Sequence, residues 1–314
     1  MRCLITGGTG FVGRALTFHM RERGWDVHVL SRNASSNAVQ ADLAAGPPRL
    51  PAERYDAVFH AAGHAHVVPR SDFDQKRFFL TNTEGTRHLL AALDAQGNAP
   101  EAFVLISSVA VYGREGGKLL GEDTPRDAAD AYGLSKRLAE DLVMHWGQER
   151  GVRVGIARLP LVSGAGAPGN LGAMIHAMRV GRYAGIGDGS ARRSIVDVHD
   201  VARGVEAIAA IGGIFHLTDG YHPTFAEIEA AIARELGRPL PRRIPITMAR
   251  LGAVLGDAMS RVAGAQFPLT TRTLEKMTAT LTFDDSRARQ QIGWAPAPAL
   301  ERVREWCQGK REST

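Results

Sequence analysis

The chain has 314 residues, 38 Lys plus Arg against 33 Asp plus Glu, and a formal net charge of +5. Hydrophobic residues make up 44% and charged residues 23%, which excludes a disordered chain. The 35 glycines follow no three-residue period, which excludes collagen, and so mild a charge lacks the dense basic stripe of a nucleic-acid binder.

In chain order, 2–6 reads as a strand, 11–23 as a helix and 26–30 as a strand. A buried strand is expected at 57–61, a long helix at 72–93 and a strand at 103–107. A second long helix covers 131–150, followed by a strand at 153–157. Short, continuously apolar strands separated by helices predict βαβ units and a parallel sheet covered on both faces. After Arg158 the pattern changes, with frequent Pro and Gly through 163–172. Helices are expected at 171–179, 198–211, 225–236, 248–263 and 300–308, with short strands at 195–197, 214–217 and 281–283. The Pro-rich run 239–245 reads as a surface crossing, and the polar tail 309–314 as frayed.

Two cysteines, Cys3 and Cys307, make neither a disulfide framework nor a metal site. Cys3 lies in an apolar run and reads as a buried, inert thiol. No apolar stretch reaches the ~18 residues that span a bilayer. The start also lacks the apolar segment of a signal peptide, so a cytoplasmic location is expected. The charge is uneven. Residues 234–250 carry five arginines (234, 238, 242, 243, 250) and one acid, Glu235.

Gly7-Gly8-Thr9-Gly10-Phe11-Val12-Gly13 follows the first strand and opens the first helix. Gly7, Gly10 and Gly13 let the backbone turn tightly and approach a pyrophosphate, while the helix start at Phe11 and Val12 offers free N–H groups and a partial positive charge. A dinucleotide site is expected there. The second strand ends Leu30-Ser31-Arg32-Asn33, without the acid that holds a ribose 2′-hydroxyl. Ser31 and Arg32 suit a 2′-phosphate instead, which favours NADP(H) and leaves NAD(H) as the alternative. Asp42 and Leu43 are candidates for the adenine edge.

Tyr132-Gly133-Leu134-Ser135-Lys136 sets Tyr and Lys at i and i+4, on one helix face. A phenol is a poor base at neutral pH, and a nearby ammonium brings its pKa toward working range. Tyr132 would then exchange the hydroxyl proton as hydride moves, while Lys136 holds the ribose hydroxyls. A buried strand ends in Ser107-Ser108 upstream. Ser108 is placed to hold the reacting oxygen, and Ser107 to satisfy the strand end.

These blocks occur together with His60-Ala61-Ala62-Gly63 and Thr81-Asn82-Thr83-Glu84-Gly85-Thr86. The chain resembles an extended short-chain dehydrogenase/reductase of the NAD-dependent epimerase/dehydratase family over nearly its whole length. That resemblance implies Ser108, Tyr132 and Lys136 as the catalytic set, and Ala61, Ala62, Gly63 and Asn82 as cofactor lining. Arg158-Leu159-Pro160-Leu161-Val162 resembles the family's segment beside the nicotinamide, which implicates Pro160. Gly169-Asn170-Leu171 and the block from Arg192 to Ala202 resemble segments that bind a nucleotide-sugar diphosphate, through Asn170, Leu171 and Arg193. Asp284 to Pro296 resembles the C-terminal signature. The closest flavour is the surface-polysaccharide branch of UDP-sugar C4 epimerases and 4-keto-sugar reductases. Val109-Ala110 stands where dehydratases often place an Asp-Glu pair, so dehydration is disfavoured. Ser163-Gly164 stands where a tyrosine commonly precedes the glycine.

Competing readings accompany several residues. His60, His64 and His66 crowd one strand end, yet their spacing crosses a strand-to-loop change, so pocket lining or loop is expected and no metal. Tyr112 either touches the sugar or packs. Arg192 is either a second phosphate contact or a surface charge. The helices at 72–93 and 131–150 resemble those of the family's dimer interface, which implies a homodimer.

The expected architecture is α/β, a Rossmann doubly wound parallel sheet with a smaller, mostly helical C-terminal substrate domain. Residues 1–160, with 195–217 returning to them, form the first; 161–194 and 218–314 form the second. The expected function is NAD(P)-dependent oxidoreduction at C4 of a nucleotide sugar, foremost an NADPH-dependent 4-keto-sugar reductase. A UDP-hexose 4-epimerase with tightly held NAD is the alternative. A non-sugar carbonyl reductase and a non-catalytic dinucleotide sensor follow behind. The expected partner is a nucleotide sugar, with neither nucleic acid nor membrane.

Overall fold

In the computed structural model, residues 1–32, 38–69, 71–263 and 270–308 are described. Seven strands form one parallel sheet in the order Gly213–His216, Arg153–Leu159, Ala102–Ser108, Ala57–His60, Arg2–Thr6, Asp26–Ser31, Ala38–Gln40. The order reverses at Arg2–Thr6, so the topological switch point lies between that strand and Ala57–His60, where Thr6 registers against His60.

The central positions of the inner strands are mostly apolar because both faces of the sheet are covered. Cys3 and Ile5 face one core, with Leu16, Met20 and Val205, while Leu4 faces the other, with Leu89, Phe103 and Trp146. Adjacent strand residues thus enter opposite cores, as the pleat requires. A third core, with Leu171, Ile175, Ile195, Ile232 and Trp306, supports the second half of the chain. The segment 218–314 is not confined to it: Ala288 and Trp294 pack into the first sheet core.

Most expected elements lie within a residue or two of those observed. The 72–93 helix differs. It is α-helical at Asp72–Phe78, π-helical at Phe79–Glu84 and α-helical again at Gly85–Ala95. A single π turn inside an otherwise α-helical run is one short insertion, which the spacing of the whole run does not single out. Thr86 donates to the Asn82 carbonyl at 2.6 Å inside this segment. Short strands at Ala38–Gln40, Gly117–Leu120 and Leu161–Ser163, and helices at Thr271–Thr278 and Ser286–Ile292, carry too few residues for a periodic signal. The last helix is split into Ala299–Arg302 and Val303–Cys307. The tail 309–314 and Asn33 lie outside the described residues. Both cysteines are free, and burial pushes the Cys3 thiol up to about 12.

Candidate active site

The glycine-rich turn lies at the switch point. Gly7 has φ +68°, and a Cβ there would sit 2.6 Å from the Ala62 nitrogen. A Cβ on Gly13 would sit 2.0 Å from the Gly7 carbonyl oxygen. Only glycine permits this packing of turn, helix and the Ala61–Ala62 backbone. The helix Phe11–Glu22 starts at Gly10 with no side-chain cap and no acid in its first turn, so its N-terminal N–H groups face an uncontested anion site. The turn therefore fits a dinucleotide pyrophosphate. Phe11 is half-buried against the third core and Val12 against the first, which ties the cradle to both halves of the chain.

Ser31 ends the second strand with its hydroxyl 3.2 Å from that of Thr9 in the turn. Arg32 beside it is exposed. The His64 imidazole is held low by burial, then by the charges of Arg77 and Arg32, so two guanidiniums act on the loop facing the strand end. Asp42 is exposed and its carboxylate accepts from the Ala44 nitrogen at 3.0 Å. Leu43 is instead a core residue whose carbonyl accepts from His88 at 2.7 Å, which leaves it packing rather than adenine-facing.

The helix Ala131–Arg150 is capped by Asp130, which accepts from the Gly133 nitrogen at 3.1 Å. A Cβ on Gly133 would lie 2.5 Å from the Ala110 carbonyl oxygen. Glycine there lets the helix press onto the turn after the Ala102–Ser108 strand, and brings Tyr132 into hydrogen bonding with Ser108. The phenol pKa is raised: burial dominates, the Ser108 hydroxyl pulls it down, and the Asp130 charge adds to the rise. The expected lysine-driven fall does not occur, because burial outweighs the partners present. Lys136 donates from Nζ to the Ile106 carbonyl at 2.9 Å, and burial lowers it to about 8 against the opposing field of Glu140. The missing side chain of Gly63 makes room for it, since a Cβ there would lie 3.1 Å from Nζ. Because the ammonium is lost as pH rises through about 8, dinucleotide affinity is expected to fall over that range. A fluorescence titration from pH 6 to 10 checks this, and flat affinity refutes it.

Asn82 takes a positioning role. Its side-chain amide accepts from the His64 nitrogen at 2.6 Å and donates to the His64 carbonyl at 3.0 Å and the Ser135 hydroxyl at 2.9 Å. It thereby fastens the loop after Gly63 to the Tyr132–Lys136 helix. His60 is buried between Thr6 and Thr86 hydroxyls at 2.6 and 2.9 Å, and burial drives it down to about 3, so it is a neutral core histidine. Among the described residues no group of three metal-ligating side chains forms.

Two further candidates, like Leu43, turn out to be packing residues. Tyr112 is fully buried, its hydroxyl 2.6 Å from His216 and 2.7 Å from Arg158, and its ring stacked on Phe283. It packs and cannot meet a sugar. Leu171 is 2% exposed and belongs to the third core, so its side chain is not a ligand contact. Pro160 sits at the break between Arg153–Leu159 and Leu161–Ser163, at the carboxyl end of the sheet. Asn170 is exposed at the start of the helix Gly169–Arg179. The Arg193 guanidinium donates to the carbonyls of Lys276 and Ala279 and lies over the Phe225 ring at 5.2 Å. Arg192 is exposed and donates to the His222 carbonyl at 2.9 Å.

Sequence reasoning missed Glu140 and the role of Arg158. Both are buried, and Glu140 accepts from Arg158 Nε at 3.0 Å and Nη2 at 2.7 Å. Glu140 also accepts from Ser107 at 2.5 Å. Arg158 completes its bonding to Tyr112 and the Glu122 carbonyl, at 2.7 and 2.8 Å. Tyr132, Lys136 and Glu140 follow at i, i+4 and i+8, so the signal was a third polar residue on the same helix face.

A phosphate cradle and a Ser–Tyr–Lys corner at the same sheet edge suit a dinucleotide-dependent oxidoreductase of Rossmann fold. The sequence pattern of the NAD dependent epimerase/dehydratase family matches residues 3–213, and the chain belongs to that family. UDP-glucose 4-epimerase of Vibrio cholerae is 26% identical over 323 residues, covering 95% of this chain and 92% of that one. A ketoreductase of a farnesylated dihydroquinoline oxide from Stigmatella aurantiaca is 27% identical, covering 94% and 92%. Among solved structures, MoeE5 in complex with UDP-glucose and NAD superposes with a TM-score of 0.75 at 22% identity, covering 98% of this chain and 97% of that one. Human epimerase family protein SDR39U1 with NADPH superposes at 0.73 and 23% identity, covering 98% and 99%. The chain is thus an NAD(P)-dependent enzyme.

Proposed function

We propose that this enzyme is an NADPH-dependent reductase of a 4-keto nucleotide sugar, acting in the cytoplasm on a precursor of surface polysaccharide. The observation that carries the reading is the end of the second strand, where Ser31 and exposed Arg32 replace an acid beside the glycine turn. A guanidinium there suits a 2′-phosphate, and an acid would repel it. The NADPH named with SDR39U1 agrees with this lean. Residues 1–160 with 195–217 would hold the dinucleotide, and 161–194 with 218–314 the sugar nucleotide.

A dinucleotide held at Gly7–Gly13 would supply the hydride for C4. Ser108 and Tyr132 hold the ketone oxygen, and Tyr132, kept protonated by burial, gives its proton to that oxygen as the C–H bond forms. Lys136 orients the ribose. Arg193 and Asn170 would bind the diphosphate. For Arg193 this requires release from the Lys276 and Ala279 carbonyls. A homodimer through the helices Gly85–Ala95 and Ala131–Arg150 goes with this reading, as the family resemblance implies.

The test is to identify any nucleotide that copurifies and to titrate NADPH, NADH and UDP. NADPH should bind more tightly than NADH, and Arg32→Ala should weaken NADPH on the order of tenfold while leaving NADH unchanged. Tight NAD with no NADPH binding would replace this reading with the UDP-hexose 4-epimerase, which the Vibrio relative favours. Absence of any nucleoside-diphosphate binding, with Arg193→Ala without effect, overturns the sugar-nucleotide substrate.

A further inference from the structure

The helix Ile246–Ala263 is built inside out. Its inner face is small: Ala249 and Ala253 pack with Ile246 against Leu274 of the helix Thr271–Thr278. Its large apolar residues point to solvent, with Met248, Leu251, Val254, Leu255 and Met259 between 50% and 69% exposed. At 100° per residue these five lie on one side, and no charged residue lies among them. The acid of the helix, Asp257, is turned away and accepts from the Thr271 hydroxyl at 2.5 Å. A surface helix ordinarily buries its large side chains, so a contiguous outward stripe marks an interaction face.

The chain leading into this helix is basic, and Arg250 lies on the helix itself. The 234–250 segment runs into this helix, and of its arginines Arg234, Arg238, Arg242 and Arg250 are exposed, while Arg243 pairs with Glu229. We propose that this face docks peripherally on an anionic lipid surface. The helix would lie in the interface plane with its five apolar side chains immersed and the arginines among the headgroups. None of the described helices is long and apolar enough to cross a membrane, and this mode needs none. A second copy is the weaker occupant, because a twofold contact would set two net-positive segments together. The inference also accounts for the arginine cluster, which the dinucleotide site does not use.

The test is cosedimentation of the full chain with large vesicles of equimolar phosphatidylglycerol and phosphatidylcholine, against phosphatidylcholine alone. The protein should pellet with the anionic vesicles and be released by high salt. L251Q/L255Q and, separately, R242Q/R250Q should each weaken binding on the order of tenfold or more. NADPH affinity should stay unchanged in both, which shows that they fold. Absence of pelleting with either vesicle, or variants that bind like the parent, overturns the proposal. So does a dimer in solution that L251Q/L255Q dissociates while no vesicle binds. Because none of these readouts uses a sugar substrate, failure here leaves the proposed reductase untouched.

Discussion

Replacement of Tyr132 by phenylalanine is expected to lower kcat by about 10²–10⁴-fold while leaving dinucleotide affinity nearly unchanged. The ring contact with Phe78, at 5.8 Å between centroids, survives the change, as does the Lys136 bond to Ile106. Only the hydroxyl is lost, and with it the partner of Ser108 and the proton that the nascent alkoxide needs. Steady-state rates of NADPH oxidation with a 4-keto nucleotide sugar, paired with a dinucleotide titration, separate chemistry from binding. Turnover like that of the parent would remove Tyr132 from the proton-donor role. Loss of dinucleotide binding in parallel would assign it to cofactor placement instead.

Glu140→Ala is expected to destabilise the fold by about 3–5 kcal/mol, the range for breaking a buried ion pair on one side. Arg158 is 2% exposed and would keep its charge with Tyr112 and the Glu122 carbonyl as its remaining partners. Ser107 would lose its acceptor as well. Denaturant unfolding measures the loss. A double change, Glu140→Met with Arg158→Met, should recover most of it, since replacing both charges removes the stranded one. A single variant as stable as the parent would show that the pair is not what locks these elements. The site should feel the change too. Glu140 raises the Lys136 pKa, so its removal lowers that pKa further below about 8 and shifts the alkaline fall in dinucleotide affinity toward lower pH. A merely structural residue would not move that midpoint.

The parallel sheet and the glycine turn were legible because their signals are local. Four or five consecutive apolar residues read as a strand buried on both faces, and a glycine at Gly7 or Gly13 reports a backbone approach no side chain allows. The Tyr132–Lys136 pair was legible for the same reason, since helical spacing alone places both on one face. Tyr112 and Leu171 were less so. Each stands next to functional residues in the chain, yet packing turns one into the Arg158 and His216 network and the other into the third core. Arg193 matches its motif, but its guanidinium engages carbonyls of Lys276 and Ala279, more than eighty positions away.

Periodicity and glycine spacing were enough for the fold class, the tight glycine turn and the shared helix of Tyr132 and Lys136, because each depends on residues a few positions apart. The direction of the Tyr132 shift, the Glu140–Arg158 lock, the π-helical break at Phe79–Glu84 and the outward apolar stripe of Ile246–Ala263 came from the assembled chain. Burial and long-range partners set the Tyr132 shift and the Glu140–Arg158 lock, and neither is a property of a short window. The +5 charge follows the same division. Its number and the arginine run at 234–250 are in the sequence, but that this run leads into a helix with its large apolar side chains exposed emerges only once the second half has packed.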